Sequence, residues 1–360
     1  MMAKRALAAL LLLATPACGS PATPAAARPT AAIPAAPRCT PADRRAALDA
    51  MVAARRGAYT AAIAKARTFL DGLEVDPIKL RRFHIKGKKK LAEAIDVYHR
   101  LHQVAPPEER AKILARVTEL ARPTLDDRYH DLLTIDDREL KEDATSYLRA
   151  AVLLDRMGVD ITRYRAEIKN VKWRLDAQMK DRGPHQRRAF HAYYQHFGLS
   201  EPFPLAGALD KGLIAARTDA AGLSRMDAYT FTHEIYAAYD FGERLDAEPF
   251  TEADHAYLDR ALPQLLGTWL SKKDPDLVAE IMSCMRYVRG TSDPSYAAAL
   301  GYLLEAQNAD GSWGSYDAAR ARLGDLVKQA LYLHTTMVVV EALTLGFEEM
   351  FRKGEGPVCG

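Results

Sequence analysis

The side chains best placed to do chemistry lie in AYTFTHEIYAAYDFG, residues 228–242. On a helix, His233, Tyr236 and Asp240 recur at intervals of three and four and therefore share one side. An imidazole can accept or donate a proton near neutral pH, and Asp240 or Tyr236 could orient it. The competing reading is structural: His233 and Asp240 satisfy buried backbone or cap a helix end. A zinc helix of the form His-Glu-x-x-His would need a second histidine at 237, where alanine stands. A further imidazole, His334, lies in YLHTTMVVVEALTL (332–345), and the same two readings apply to it. His191, Tyr193, Tyr194 and His196 in RRAFHAYYQHFG (187–198) fit packing better than acid–base work.

The elements that must position these groups are helices. From Pro41 onward apolar residues recur at helical spacing. Helical runs are expected over 41–73, LAEAIDVYHRLHQV, PPEERAKILARVTELARP and DDRELKEDATSYLRAAVLLDRMG. Others follow near 161–182, 184–197, 205–216, 225–240, 251–271, 275–289, 294–308 and 323–350. Prolines open several runs, acids fill first turns, and Gly158 closes one. No series of alternating β-branched strands is present. Short links rich in Gly, Pro, Asp and Ser imply antiparallel neighbours. About a dozen such helices can form a bundle, an open solenoid or a closed double ring.

One link is unusually specific. YLLEAQ (302–307) ends a helix, and NADGSWG (308–314) turns the chain. Asn308 and Asp310 favour turns through local hydrogen bonds, and Gly311 and Gly314 permit backbone closed to other residues. Trp313 offers a broad apolar face, so Asp310 and Trp313, with Tyr236, are candidate ligand contacts. YLLEAQNADGSWG resembles the glutamine–tryptophan repeat of squalene–hopene cyclases. That corner followed by His334-Thr335-Thr336 is the pairing found in the superfamily those enzymes share with protein prenyltransferase β subunits. The paired match covers residues 295–345. It implies an all-α, (α/α) toroid-like array of antiparallel helix pairs. THEIYAAYDFG, DPDLVAEIMSC (274–284), the corner and the His-Thr helix together resemble an uncharacterised bacterial family of toroid-like domains. That resemblance covers the C-terminal half and implies no activity.

The superfamily's catalytic motifs are not matched. Class II cyclisation uses Asp-x-Asp-Asp; TIDD (134–137) has Thr134 at the first position and reads as an N-cap. LDDRYHD (125–131) reads as a solvated acidic turn rather than a magnesium site. The prenyltransferase zinc set would fall on Asp310, Ser312 and His334, but serine is a poor zinc ligand. No metal and no cofactor is therefore expected. No P-loop or dinucleotide fingerprint is visible.

The chain opens on MMAKR, then ALAALLLLA, then TPAC, a secretory pattern too short to span a membrane. Residues 1–17 are expected to be a signal peptide. Cys18 stands where a bacterial lipoprotein is lipidated, although Thr15 and Pro16 depart from that pattern and cleavage further on is the alternative. Residues 18–38, rich in Pro and Ala, read as a tether, leaving 39–360 as the helical domain. Cys284 lies in an apolar run and reads as a buried thiol. Cys39 and Cys359 remain, and their pairing would contribute on the order of 5 kcal/mol. Fifty Lys and Arg against 47 Asp and Glu leave only +3, which argues against bulk nucleic-acid binding. The basic run 85–90 reads as a solvated helix start, with an anionic partner or membrane surface as the alternative. The expectation is a lipid-anchored cell-envelope protein, either a non-catalytic binder or scaffold of unknown small-molecule, glycan or protein ligand, or an extracytoplasmic enzyme. The enzyme would use a central His233/Asp240/His334 cavity on a glycan or an isoprenoid, lipid-linked substrate.

Overall fold

The computed structural model describes residues 41–351 other than 203, 204, 206–210 and 289–292, with the backbone alone at 41–55 and 345–351. Cys18, Cys39 and Cys359 lie outside the described residues. Among those described there are thirteen α-helices and no strand. They are α1 (Pro41–Asp71), α2 (Pro77–Arg82), α3 (Gly87–Val104), α4 (Pro107–Leu120), α5 (Asp137–Arg156), α6 (Thr162–Gln178) and α7 (Pro184–Phe197). The second half holds α8 (Arg225–Ala238), α9 (Glu252–Ser271), α10 (Pro275–Val288), α11 (Pro294–Glu305), α12 (Asp317–Leu323) and α13 (Leu333–Phe351).

Local chemistry sets most boundaries. Six helices open on proline, whose missing N–H costs nothing in the first turn. Asp136 accepts from the Glu139 N–H, so TIDD is the N-cap of α5. Thr251 and Asp254 form a reciprocal capping box at α9.

The inner helices pack in a closed order. α3 lies on α5, α5 on α7, α7 on α8, α8 on α10, α10 on α13, and α13 back on α3. Outside this cycle α4 covers α3, α6 covers α5, α9 covers α10, and α1 covers α13. Inner and outer helices largely alternate along the chain, as short antiparallel links require.

The Asp-Gly-Ser-Trp-Gly corner fastens the beginning of this array to its end. Gln307 Nε2 donates to Ala62 O (2.9 Å) on α1 and to Gly311 O (3.0 Å). Gly311 has φ +91° and passes so close to α1 that a Cβ there would lie 2.1 Å from Lys65 O. Trp313 is wholly buried; its indole N–H donates to Leu303 O (2.7 Å) and its backbone N–H to Thr336 Oγ1 (3.2 Å). The indole ties the corner to α11 and the backbone N–H ties it to α13, so the buried ring packs the corner, which corrects its reading as a ligand platform. Asp310 accepts from the N–H and hydroxyl of Ser312, so it closes its own turn.

Two further expectations are corrected. Within the run expected to be helical near 205–216, Gly212 is a bend and residues 213–217 form turns. The buried Glu234 carboxylate on α8 takes the N–H groups of Leu213 (2.8 Å) and Ile214 (3.0 Å), winding the segment around itself. In the basic run, Lys86 and Lys89 are exposed, but Lys88 and Lys90 are buried. Lys88 pairs with Asp131 (2.6 Å) and Asp143 (3.1 Å), and Lys90 with Glu93 (2.8 Å). Their long stems pack while the ammonium groups find carboxylates.

Candidate functional site

The interior of the cycle is built from polar stripes. On α3, Lys89, Glu93, Asp96, Arg100 and Gln103 recur at intervals of four and three. On α10 the stripe is Asp276, Glu280, Cys284 and Tyr287; on α8 it is Tyr229, His233 and Tyr236. α13 contributes His334 and, two turns later, Glu341. Asp276, Glu280, Glu93 and His334 fall in the amino-terminal halves of their helices, and His233 lies just past the middle of α8. Arg100 and Arg156 lie near carboxyl ends. Asp276 in the first turn of α10 and Arg156 in the last turn of α5 complement the helix dipoles. His334 follows a π-helical turn, Lys328–Tyr332, which rephases the entry to α13.

At the amino end four helices meet on one point. His334 Nδ1 lies 3.0 Å from Glu93 Oε1, and its Nε2 lies 3.4 Å from Asp276 Oδ1 and 3.8 Å from Glu280 Oε1. Thr232 donates to Glu280 Oε2 (2.6 Å), and Tyr229 donates to Asp276 Oδ2. Arg225 Nη2 is 3.2 Å from the same Asp276 oxygen. His233 Nδ1 donates to Tyr229 O (2.8 Å) and lies 3.8 Å from Glu280 Oε2. The three acids are buried, whereas the side chains of His334, His233 and Lys89 are 20%, 35% and 48% exposed. Solvent thus reaches the imidazoles at the mouth and stops at the carboxylates behind them.

Electrostatics separates these groups. Burial, reinforced by Asp276, pushes the Glu280 carboxyl up to about 8. Burial pushes His233 down to about 3, helped by His185 and Lys89. For His334 burial acts downward, but Glu93 and Asp276 outweigh it and hold the imidazole above its ordinary value. Burial would raise Glu93; Lys90 and His334 overcome it and hold that carboxyl well below the usual range. Asp276, Glu280 and His334 each present one ligand atom to a shared point, the three atoms lying within 4.8 Å of one another. The arrangement can hold a cation, exchange protons, or bind a ligand rich in polar groups.

The other end of the interior is plugged. Asp240, Phe241 and Gly242 have φ of +48°, +54° and +86°, a left-handed run that ends α8 and turns inward. The Phe241 ring stacks on Tyr236 (6.0 Å between centroids) and lies under the Arg149 guanidinium (4.8 Å). Arg100 donates to Phe241 O (3.0 Å). Arg149 grips Asp96 with two hydrogen bonds of 3.0 and 2.9 Å, and Tyr287 donates to Glu341 (2.7 Å).

The structure therefore brings His233 and His334 together on Glu280 but leaves Asp240 out. Asp240 is not on the helix of His233; α8 stops at Ala238, and the Asp240 carboxylate pairs with Arg156 (2.9 Å). Tyr236 is buried between the two ends, 6.0 Å from the His233 ring, and its hydroxyl has no hydrogen-bond partner among the described residues. His191 pairs with Glu201 and His196 with Asp155, away from this point. Glu93, Asp276 and Glu280 were not singled out in the sequence. The signal that marks the latter two is a pair of acids four apart on the otherwise apolar PDLVAEIMSC.

The fold and site thus define an all-α protein with a polar cluster inside a closed cycle of helices. Residues 59–344 match a family described as a domain of unknown function (DUF6895), and the chain belongs to that family. No curated protein and no solved structure matches the chain significantly.

Proposed function

We propose that this chain is a cell-envelope protein, lipid-anchored through Cys18, whose helices form an (α/α) toroid of the terpenoid-cyclase type. Its mouth binds a hydroxyl-rich small molecule of the glycan class. The closed order of six inner helices supports the toroid reading. The observation that carries the binding reading is the convergence of Glu93, His233, Asp276, Glu280 and His334 on one point that solvent reaches. Such a dense set of donors and acceptors suits hydroxyl groups, because each desolvated polar group then keeps a partner. It suits a prenyl chain poorly, since hydrocarbon would leave those groups unpaired.

A second reading, an extracytoplasmic enzyme acting on a glycan or a lipid-linked substrate, is favoured by one feature. Two imidazoles lie within 3.8 Å of the Glu280 carboxyl, which places titratable groups of the kind used in acid–base chemistry side by side. Calorimetric titration with neutral and amino-sugar oligosaccharides tests the binding reading. The native chain is expected to bind at least one of them, and Lys89→Ala and His233→Ala are expected to weaken that binding with folding intact. If no oligosaccharide binds, the glycan reading fails. Mass spectrometry of the incubated sugars separates the two readings: new products identify the enzyme, unchanged sugars the binder.

A further inference from the structure

We infer that Asp276, Glu280 and His334 form a binding site for a divalent zinc-class cation at the amino end of α10 and α13. The first support is how each ligand is held. Asp276 and Glu280 each use one oxygen for a hydrogen-bonded anchor and present the other to the shared point, and His334 presents Nε2 while its Nδ1 faces a carboxylate in an ion-pair contact. Asp276 is anchored through Oδ2 by Tyr229 and Arg225, leaving Oδ1. Glu280 is anchored through Oε2 by Thr232 (2.6 Å), leaving Oε1. His334 faces Glu93 through Nδ1 (3.0 Å), leaving Nε2. Outer partners of this kind fix the orientation and basicity of metal ligands, and a carboxylate behind an imidazole is a frequent one.

The second support is an orphaned acceptor. Asp276 is 3% exposed, and its Oδ1 has no hydrogen-bond partner among the described residues. Among those residues the oxygen has only the ion-pair contact with His334 Nε2 at 3.4 Å. A buried carboxylate oxygen without a hydrogen bond is costly, and a cation at the shared point would satisfy it. The third is spacing. His334 Nε2 lies 3.4 Å from Asp276 Oδ1 and 3.8 Å from Glu280 Oε1. Tetrahedral zinc with bonds of ~2.1 Å separates its ligands by about 3.4 Å. Two carboxylates and one imidazole leave a fourth position, and the partly exposed His334 and His233 mark the way in. Asp310 and Ser312 take no part, so this set is distinct from the one the corner motif implied.

The inference deepens the proposed function by placing a cation at the same mouth, yet its test reads the metal alone. The full chain, freed of purification tags and dialysed against EDTA, is titrated with zinc by calorimetry and followed by thermal unfolding. The expected result is one equivalent bound and a higher melting temperature. Glu280→Gln and His334→Ala are expected to abolish that equivalent, Thr232→Val to weaken it ~10–100-fold, and Asp310→Asn to leave it unchanged. Failure of the native chain to bind zinc would overturn the inference, as would undiminished binding by folded Glu280→Gln and His334→Ala. Tighter binding of manganese than of zinc would overturn the tetrahedral assignment. Zinc binding with no affinity for any sugar would remove the glycan reading and leave the cation site standing.

Discussion

Glu93 Oε1 lies 3.0 Å from His334 Nδ1, joining the first inner helix, α3, to the last, α13. Both side chains sit where the cycle of helices closes, and Glu93 also takes Lys90 at 2.8 Å. The carboxylate is thus shared between a helix contact and a buried ammonium. Glu93→Gln leaves Lys90 buried without its counter-charge, so it is expected to cost about 3–5 kcal/mol in urea unfolding. Adding Lys90→Met should restore most of that loss; independent, additive costs would show that the pair is not coupled.

Phe241 sits in left-handed backbone with φ +54°, where a side chain costs roughly 1–2 kcal/mol that glycine does not incur. Removing the ring loses its packing on Tyr236 and Arg149 in either variant. Phe241→Gly should therefore be the milder change, more stable than Phe241→Ala by about 1 kcal/mol. Equal or reversed stabilities would mean that the strained turn does not hold its conformation in solution.

Two glycines with positive φ should differ sharply. Gly158, φ +74°, has open space around it, and Gly158→Ala should cost only the ~1–2 kcal/mol of left-handed alanine. Gly311→Ala meets the same strain and also the Lys65 carbonyl. Its cost should be clearly larger, with α1 the first element to lose protection in hydrogen exchange.

His99 gives a pH dependence. It is buried on α3, 3.5 Å from Glu243, and burial pushes its imidazole down to about 4. Glu243 and Asp96 act upward, Arg149 and Arg100 downward. The fold thus favours the neutral ring, whereas the unfolded chain takes up a proton near 6.5. The contribution is whole above about pH 6.5, declines as the pH falls, and levels off below about 4. It amounts to on the order of 3 kcal/mol at ~1.4 kcal/mol per unit. Unfolding of the native chain and of His99→Gln across this window should show the difference; parallel curves would exclude it.

The envelope reading rests on residues outside those described. Cys18→Ser is expected to move the protein from the membrane fraction to the soluble one. Unchanged membrane association would remove the lipid anchor from the proposal. Non-reducing peptide mapping of the secreted form should show Cys39 joined to Cys359.

The helices were legible because their causes are local. Apolar period, opening prolines, capping Asp136 and closing Gly158 all act within one or two turns. Where an apparent helix failed, near 212–217, the cause was distant: the carboxylate of Glu234 on α8. The same division governs the site. His233 and His334 could be singled out as titratable groups on helical runs. That they meet, and that Asp240 does not join them, depends on which helices are neighbours.

The sequence by itself determined that the chain would be helical, that Asp-Gly-Ser-Trp-Gly would make a rigid corner, and that Cys284 would be buried. Only the tertiary structure decided that this corner would lock onto α1. Only it put Glu93, Asp276, Glu280 and His334 around a single point. Helix formation is written in neighbours three and four residues apart, so a linear reading recovers it. A site assembled from α3, α8, α10 and α13 has no fixed spacing along the chain. It comes into being only when the cycle of helices closes and buried charges must find their partners.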